Sequence, residues 1–318
     1  MILSIVIPAY NVEKYIERCL LSILSQDVAA TDYEIIVVND GSRDQTESVT
    51  RRLSSGRSNI KVVTQQNQGL SVARNNGLAL SRGKYIWFID SDDWIPDNCM
   101  GQIVEVLNNC HPDALMMCAA DFVDGELKRR VSYKTELICD GRSWLQQFQT
   151  PCAPFHVWSR TFLDDHKLRF IEGVVHEDSE FTPRAAYFAK NVVAINDICY
   201  VVYHNPNSIT RTFSMKRPLD LIRRVNQSLS EFSERLDGEE LKVFHRLIST
   251  HINTAMHCVR GATKEQQREV DEAIYEHRGQ LRHLLHSGVM KYWVEGMLFR
   301  MFPRHYVRIY KLMQLLNR

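Results

Sequence analysis

The sequence predicts an α/β chain: a mixed, mainly parallel sheet flanked by helices and followed by an all-α C-terminal region. Three observations carry this. Short β-branched runs alternate with amphipathic ones over the first ninety residues, the pattern of a parallel sheet covered on both faces. The strand signal then loosens without disappearing. Beyond about Met215 only amphipathic helices remain.

Taken in order, "LSIVIP" is followed by "VEKYIERCLLSILSQ", whose Ile16, Leu20, Ile23 and Leu24 recur at helical spacing. "YEIIVVND" precedes "DQTESVTRRLSS", "NIKVVTQ" precedes "GLSVARNNGLALS", and "KYIWFID" closes a βαβαβαβ order joined by right-handed crossovers. Next come a helix in "DNCMGQIVEVLNN", a strand in "DALMMCAAD", a helix in "GRSWLQQFQ", and two strands in "NVVAIN" and "ICYVVYHN", which make the sheet mixed. The remaining helices are "RPLDLIRRVNQSLSEFSERL", "EELKVFHRLISTHINTAMHCVRG" and "KEQQREVDEAIYEHRGQLRHLL". The domain boundary is placed near residue 213, dividing the chain into a domain of residues 1–212 and a helical region of 213–318.

Composition bounds the function. With 44% hydrophobic and 24% charged residues and a formal net charge of +1, the chain is an ordinary globule and not a nucleic-acid binder by charge. The charge is uneven: residues 291–318 carry six Lys/Arg against one Glu, so they sum to +5 and the rest to −4. No secretory leader is read in "MILSIVIPAYN", and no apolar run reaches the ~20 residues of a membrane span, so the expected location is the cytoplasm. Eight scattered cysteines without a C-x-x-C pair read as core thiols.

Ligands of parallel sheets bind beyond the carboxyl ends of the strands, where loops and helix N-termini converge. Four ends therefore matter: Pro8 to Asn11, Asn39 to Asp44, Gln66 to Gly69, and Asp90 to Asp93. Gly41 and Ser42 suit a turn, and Ser42 or Asp44 an N-cap. Arg74 would ordinarily be a solvated surface cation, but it lies one turn into a helix that begins at this edge. Asp90, Asp92 and Asp93 place three acids within four positions, a repulsive arrangement best explained by a divalent cation. Mn²⁺ or Mg²⁺ would take one or two carboxylates and complete its octahedron with water and phosphate oxygens. Neither G-x-x-x-x-G-K-[ST] nor a G-x-G-x-x-G after the first strand is present, which argues against a P-loop or dinucleotide fold. In "GVVHEDSEFTPRAAYFAK", Glu177 and Asp178 sit at a helix start, where one of them caps the helix easily and the other is left for general-base chemistry.

The segments "SIVIPAYNVEKYIERCLLSILSQ", "EIIVVNDGSRDQT", "NQGLSVARNNGLALSRGKYIWFIDSDDW" and "HEDSEF" resemble the successive signatures of glycosyltransferase family 2, inverting enzymes with the GT-A fold. The resemblance covers residues 1–212 and implies roles. Pro8, Tyr10 and Asn11 would line the nucleotide pocket with Asn67, Gly69, Arg74 and Ser91, and Asp40 would accept a hydrogen bond from the base, uracil by preference. Asp90 to Asp92 resembles the DxD element, with Asp90 towards the ribose and metal shell and Asp92 as direct ligand. Asp178 resembles the base that deprotonates the acceptor hydroxyl, supported by Glu177. "YHNPNSITRT" is similar to a late diphosphate-contacting loop, with His204, Ser208 and Arg211 as candidates, and Trp158 stands where relatives place an acceptor-side aromatic although a core position suits it as well. The partners implied are a nucleotide sugar, UDP-linked first, and a glycan or lipid-linked glycan acceptor. No Gln-x-x-Arg-Trp occurs, which favours single addition over processive synthesis.

In the tail, Arg300, Arg304, Arg308 and Lys311 recur at four, four and three residues, flanked by Phe302, Tyr306, Ile309, Tyr310, Met313 and Leu316. One helix so patterned either lies on an anionic membrane, making the enzyme peripheral on its inner face, or packs on protein. The sequence is compatible with an oligomer. Two other function classes compete: a nucleotidyltransferase, which would carry a Gly-rich loop where "PAYNVEKY" has none, and a nucleotide-sugar-binding scaffold without transfer activity.

Overall fold

A computed structural model describes residues 1–131, 138–146, 151–204 and 213–316. The elements of the first half are β1 (Leu3–Ala9), α1 (Ile16–Leu24), β2 (Tyr33–Asn39), α2 (Thr46–Ser54), β3 (Ile60–Thr64), α3 (Leu70–Leu80), β4 (Tyr85–Phe88) and α4 (Cys99–Cys110). There follow β5 (Ala114–Val123), β6 (Glu126–Val131), β7 (Ile138–Cys139), α5 (Gly141–Gln146), β8 (His156–Ser159), α6 (Arg160–Asp165), α7 (Glu177–Phe188) and β9 (Val192–Tyr203). The rest is helical: α8 (Lys216–Asp220), a π turn (Leu221–Val225), α9 (Asn226–Ser233), α10 (Gly238–Cys258), α11 (Lys264–Glu276), α12 (Leu281–His286), α13 (Met290–Met301) and α14 (Tyr306–Leu316).

The backbone divides into two compact units, Met1–Gly173 with Phe181–Ser208, and Val174–Glu180 with Ile209–Arg318. The segment holding His176, Glu177 and Asp178 thus groups with the helices. The first unit holds one sheet of order β3-β2-β1-β4-β8-β5-β9-β7, with β6 paired to β5. The pairs among β3, β2, β1 and β4 are parallel, as is β5 with β9, whereas β8 runs antiparallel to both neighbours. Every residue of β1, β2 and β4 is buried, which is why these strands read as near-continuous apolar runs, broken by Ser4 and Glu34, which hydrogen-bond to each other, and by Asn39 at the end of β2. On α1 the buried positions are Ile16, Cys19, Leu20 and Ile23, one helical face against the sheet.

Three strands are absent from the sequence reading, each for a physical reason. β8 is four residues long, too short to show a period. β6 has five exposed residues of six, so no alternation betrays it. It is set instead by the two-residue turn Asp124–Gly125, where both φ values are positive, as a tight hairpin requires. β7 is a two-residue pairing on β9. Conversely, the two strands expected in "NVVAIN" and "ICYVVYHN" are one: β9 continues through Asn196 and Asp197, where its register with β5 jumps from Met117↔Ile195 to Cys118↔Ile198.

The tail also departs from expectation. It is two helices, interrupted at residues 302–305, where Arg304 has φ 65°. Tyr306, Val307, Ile309 and Tyr310 are buried on the helical unit, with Phe299 and Tyr306 edge to face at 5.2 Å and Val307 N–H donating to Asp271 Oδ1 at 2.8 Å. Of the two alternatives for the apolar flank, contact with a membrane or packing on protein, these positions take the second. Among the described residues no helix is long and apolar enough to cross a membrane, and no disulfide links any of the eight cysteines.

Candidate active site

The loops after β1 and β2 are stitched to each other at the carboxyl edge of the sheet. Asn11, in the left-handed region at φ 51°, donates its N–H to Ser42 Oγ (3.0 Å), and its Oδ1 accepts from Arg43 N–H (2.8 Å). Asp44 accepts from Glu13 N–H and from Thr46 N–H, so it caps the start of α2 through a short Asx turn. Gly41 has φ 73°, and a Cβ there would lie 2.9 Å from Asn67 N; only glycine fits. Tyr10 and Asn67 are exposed at this edge, while Pro8 is buried.

Asp40 closes the third loop. Its carboxylate, 3% exposed, accepts from Gln65 Nε2 (2.8 Å), Gln68 N–H (2.9 Å) and Gly69 N–H (2.8 Å). Two of these bonds fall on Oδ1, so a further donor would find its place on Oδ2.

After β4 the three acids meet three fates. Asp90 Oδ1 takes Arg74 Nη2 at 2.6 Å, and Arg74 is only 2% exposed. Arg74 is not the solvated surface cation that a lone arginine suggests. It is a buried cation that fixes Asp90, with its guanidinium 5.2 Å from the Phe170 ring. Asp93 is 5% exposed and accepts from Tyr200 O–H (2.7 Å) and Tyr203 N–H (2.7 Å). Burial first, then the charges of Asp90 and Asp92, pushes its pKa well above the usual carboxylate range. Tyr200 Oη in turn accepts from Asp90 N–H (3.1 Å). Ser91 is buried, and Asp92 is half-buried at the strand end.

Sequence reasoning missed Arg18. From α1 its Nη2 donates to the Asp92 carbonyl oxygen at 2.6 Å, and its guanidinium carbon lies 4.1 Å from the Trp94 ring and 4.4 Å from that of Tyr203. An arginine held by two aromatics fixes the backbone of the acidic turn. The aromatic in "DSDDW" was the available signal.

Other expected residues fare differently. Trp158 is fully buried in β8, 6.2 Å from Phe162 and 5.8 Å from Phe181 between ring centroids, so it is a core residue. His204 Nε2 is paired with Asp121 Oδ1 at 2.9 Å. Ser208 and Arg211 lie outside the described residues.

In the helical unit, His176 takes φ 72°, and its carbonyl accepts Ser179 N–H, turning the chain into α7. Burial, reinforced by Arg217, lowers the His176 pKa to about 4. Glu177 is 6% exposed and Glu180 is buried, accepting Ser228 O–H at 2.6 Å. Asp178 is half-buried, and its Oδ1 accepts Ser179 N–H at 2.8 Å. Of the two candidate bases, Asp178 is the more accessible.

Residues 4–166 match the family described as Glycosyl transferase family 2, over half of the chain. The chain belongs to this family. It is 30% identical over 221 residues to EpsJ, an uncharacterized glycosyltransferase of Bacillus subtilis (strain 168), a stretch covering 66% of this chain and 63% of that relative, less than two thirds of its length. It superposes on residues 1–349 of S. aureus TarS, in complex with UDP-GlcNAc, with a TM-score of 0.82 at 21% identity, covering 100% of this chain and 93% of that one. The mannosyltransferase PcManGT of Pyrobaculum calidifontis, in complex with GDP-Man and Mn²⁺, gives a TM-score of 0.57 at 15% identity over 99% of this chain and 87% of that one. The fold is thus GT-A.

Proposed function

We propose that this family-2 enzyme transfers a sugar, with inversion and one sugar at a time, from a nucleotide sugar to a hydroxyl of a glycan or lipid-linked glycan in polysaccharide or surface-glycan synthesis. A UDP-sugar is the first donor to test, since TarS was captured with UDP-GlcNAc. The observation that carries the reading is the sorting of the acids after β4. Arg74 holds Asp90 and burial encloses Asp93, so the two half-buried carboxylates at the strand end are Asp90, on its counter-ion, and Asp92.

The residues fit a divalent cation in a sparse way. Among the described residues no three His, Cys, Asp or Glu side chains gather to hold a metal. Mn²⁺ or Mg²⁺ would therefore take Asp92, backed by Asp90, and complete its shell with diphosphate oxygens and water. Bound there, it would neutralise charge on the departing diphosphate. The remaining work belongs to the chain. Tyr10 offers a ring face for the base, and Asp40 keeps the loop of residues 65–69 closed with a free position on Oδ2. Asp178 takes the proton of the acceptor hydroxyl as its oxygen bonds to the anomeric carbon, while the bond to the diphosphate breaks and the nucleoside diphosphate leaves with the electron pair. A single displacement inverts the centre. Glu177, more deeply buried, supports Asp178, and His204, Ser208 and Arg211 remain candidates for diphosphate contact.

The test is a thermal-shift screen of UDP-, GDP-, CDP- and dTDP-sugars with Mn²⁺ or EDTA, followed by nucleotide release with acceptor. Metal-dependent stabilisation by UDP-sugars supports the donor assignment, and equal stabilisation in EDTA removes the metal from it. Binding without release in the presence of acceptors would make the chain a nucleotide-sugar-binding module.

A further inference from the structure

We propose that the solvent-facing side of α13 is a docking surface for a bilayer with anionic phosphate headgroups. Met290, Trp293, Met297 and Met301 follow at three, four and four residues, which aligns them on one side of the helix. All four are exposed, Met290 at 74% and Met301 at 64%, and Phe302 extends the strip. Glu295, Gly296 and Phe299, on the opposite side, are buried in the helical unit. One side of the helix, with Glu295, Gly296 and Phe299, is thus covered by its own unit, and the apolar strip on the other side is not. Contiguous exposed apolar strips of this kind mark interaction sites.

Charge identifies the occupant. Lys291 and Arg300 lie on α13, Arg304 in the connection and Arg308 on α14, while the sole acid of residues 291–318, Glu295, is buried. Arg300 and Arg308 are exposed and enter no ion pair among the described residues. Arg300 also lines a cleft of about 270 Å³ with Arg278, Leu281, Phe299, Pro303 and Tyr306. Two guanidinium groups over an apolar floor suit a phosphate headgroup with its acyl chain beside it. A second copy of the chain fits less well, because an isologous contact would bring the same basic rim against itself. Of the basic stripe expected of the tail, Arg300 and Arg308 stay exposed without an ion pair among the described residues, whereas Arg304 pairs with Glu272 and Lys311 donates to Gln267; the exposed apolar residues are Met290, Trp293, Met297, Met301 and Phe302 rather than Tyr306, Ile309 and Tyr310.

The proposal does not depend on the transferase reading, and the assay keeps them apart. The full chain is floated with vesicles of phosphatidylcholine alone or mixed with phosphatidylglycerol, and UDP-dependent thermal shift is recorded on the same samples. Flotation should occur with the mixed vesicles and fall about tenfold with Trp293→Glu or with Arg300→Glu. Salt of about 1 M, which shortens the Debye length to about 3 Å, should weaken it as well. Leu127→Glu, an exposed leucine on β6 in the other unit, should leave flotation unchanged. Unchanged cooperative melting in each variant establishes that the fold is intact. Absence of flotation by the full chain, equal flotation on neutral vesicles, or a dimer by light scattering that Trp293→Glu dissociates would each overturn the proposal. Loss of the UDP shift in the unsubstituted chain would count against the transferase reading alone.

Discussion

Two segments of this chain each carry three acids in four positions: Asp90, Asp92 and Asp93 after β4, and Glu177, Asp178 and Glu180 at the start of α7. At the helix start the unpaired backbone N–H groups and the helix dipole already favour negative charge, so the second cluster has a backbone reason to exist. At the strand end no such field operates. There the fold supplies a buried guanidinium for Asp90 and shifts the Asp93 equilibrium towards the protonated form. In the first cluster Asp90 and Asp92 are both half-buried, with Asp90 held by Arg74, and in the second Asp178 is half-buried while Glu177 and Glu180 are buried. In the proposed function the same local composition serves an external cation in one place and proton transfer in the other.

The largest expected effect separates these two roles. Asp178→Asn should lower transfer by about 10²- to 10⁴-fold, about 3 to 5 kcal/mol of barrier, with metal-dependent UDP binding near the unsubstituted value. Glu177→Gln is the internal control and should cost less. An inactive Glu177→Gln beside an active Asp178→Asn would move the base by one residue, and full transfer by both would place it outside the helix start.

The complementary substitution, Asp92→Asn, should remove the metal-dependent part of UDP stabilisation, about 2.7 kcal/mol at a ligand concentration about 100 times the Kd. Calorimetric unfolding with Mn²⁺ and with EDTA measures it. If the two conditions still differ in the variant, the ligand is elsewhere.

Smaller effects probe what holds the strand-end cluster. Arg74→Met leaves Asp90 without its cation. Loss of one partner of a fully buried pair costs about 3–5 kcal/mol, but the Asp90 side chain is 33% exposed, so screening reduces the expected loss to about 1–3 kcal/mol in denaturant unfolding. Arg18→Lys keeps the charge and loses the planar contact with Trp94 and Tyr203, about 1 kcal/mol. Its specific readout is a higher Mn²⁺ concentration for half-maximal UDP stabilisation. A changed melting temperature with an unchanged Mn²⁺ requirement would make Arg18 structural only.

The elements legible in the sequence are those whose burial leaves a periodic trace. β1, β2 and β4 are buried on both faces and read as apolar runs, and α1 shows its buried face at helical spacing. β8 inserts between β4 and β5 through four residues, and no local pattern encodes a partner seventy residues away in the chain, such as Ile86 opposite Trp158. The site divides similarly. Asp40, Asp92 and the Glu177–Asp178 pair stood out because acids at element ends are locally conspicuous. Arg18 did not, because its role depends on rings contributed by Trp94 and Tyr203 from distant positions.

By itself, then, the sequence determined the order of the first four strands and the helices between them, and the acids at the carboxyl edge of their sheet, since these follow from local hydrophobic periodicity and charge. Only the tertiary structure decided which acid is buried, which is paired and which keeps contact with water, because exposure and pairing depend on residues remote in the chain. Arg74 became a buried counter-ion, Trp158 a core ring and Asp93 an anchor for β9, and the exposed apolar face of the tail moved to α13. None of these assignments is a property of residue type. Each follows from what packing places beside the side chain, and so how much water it keeps.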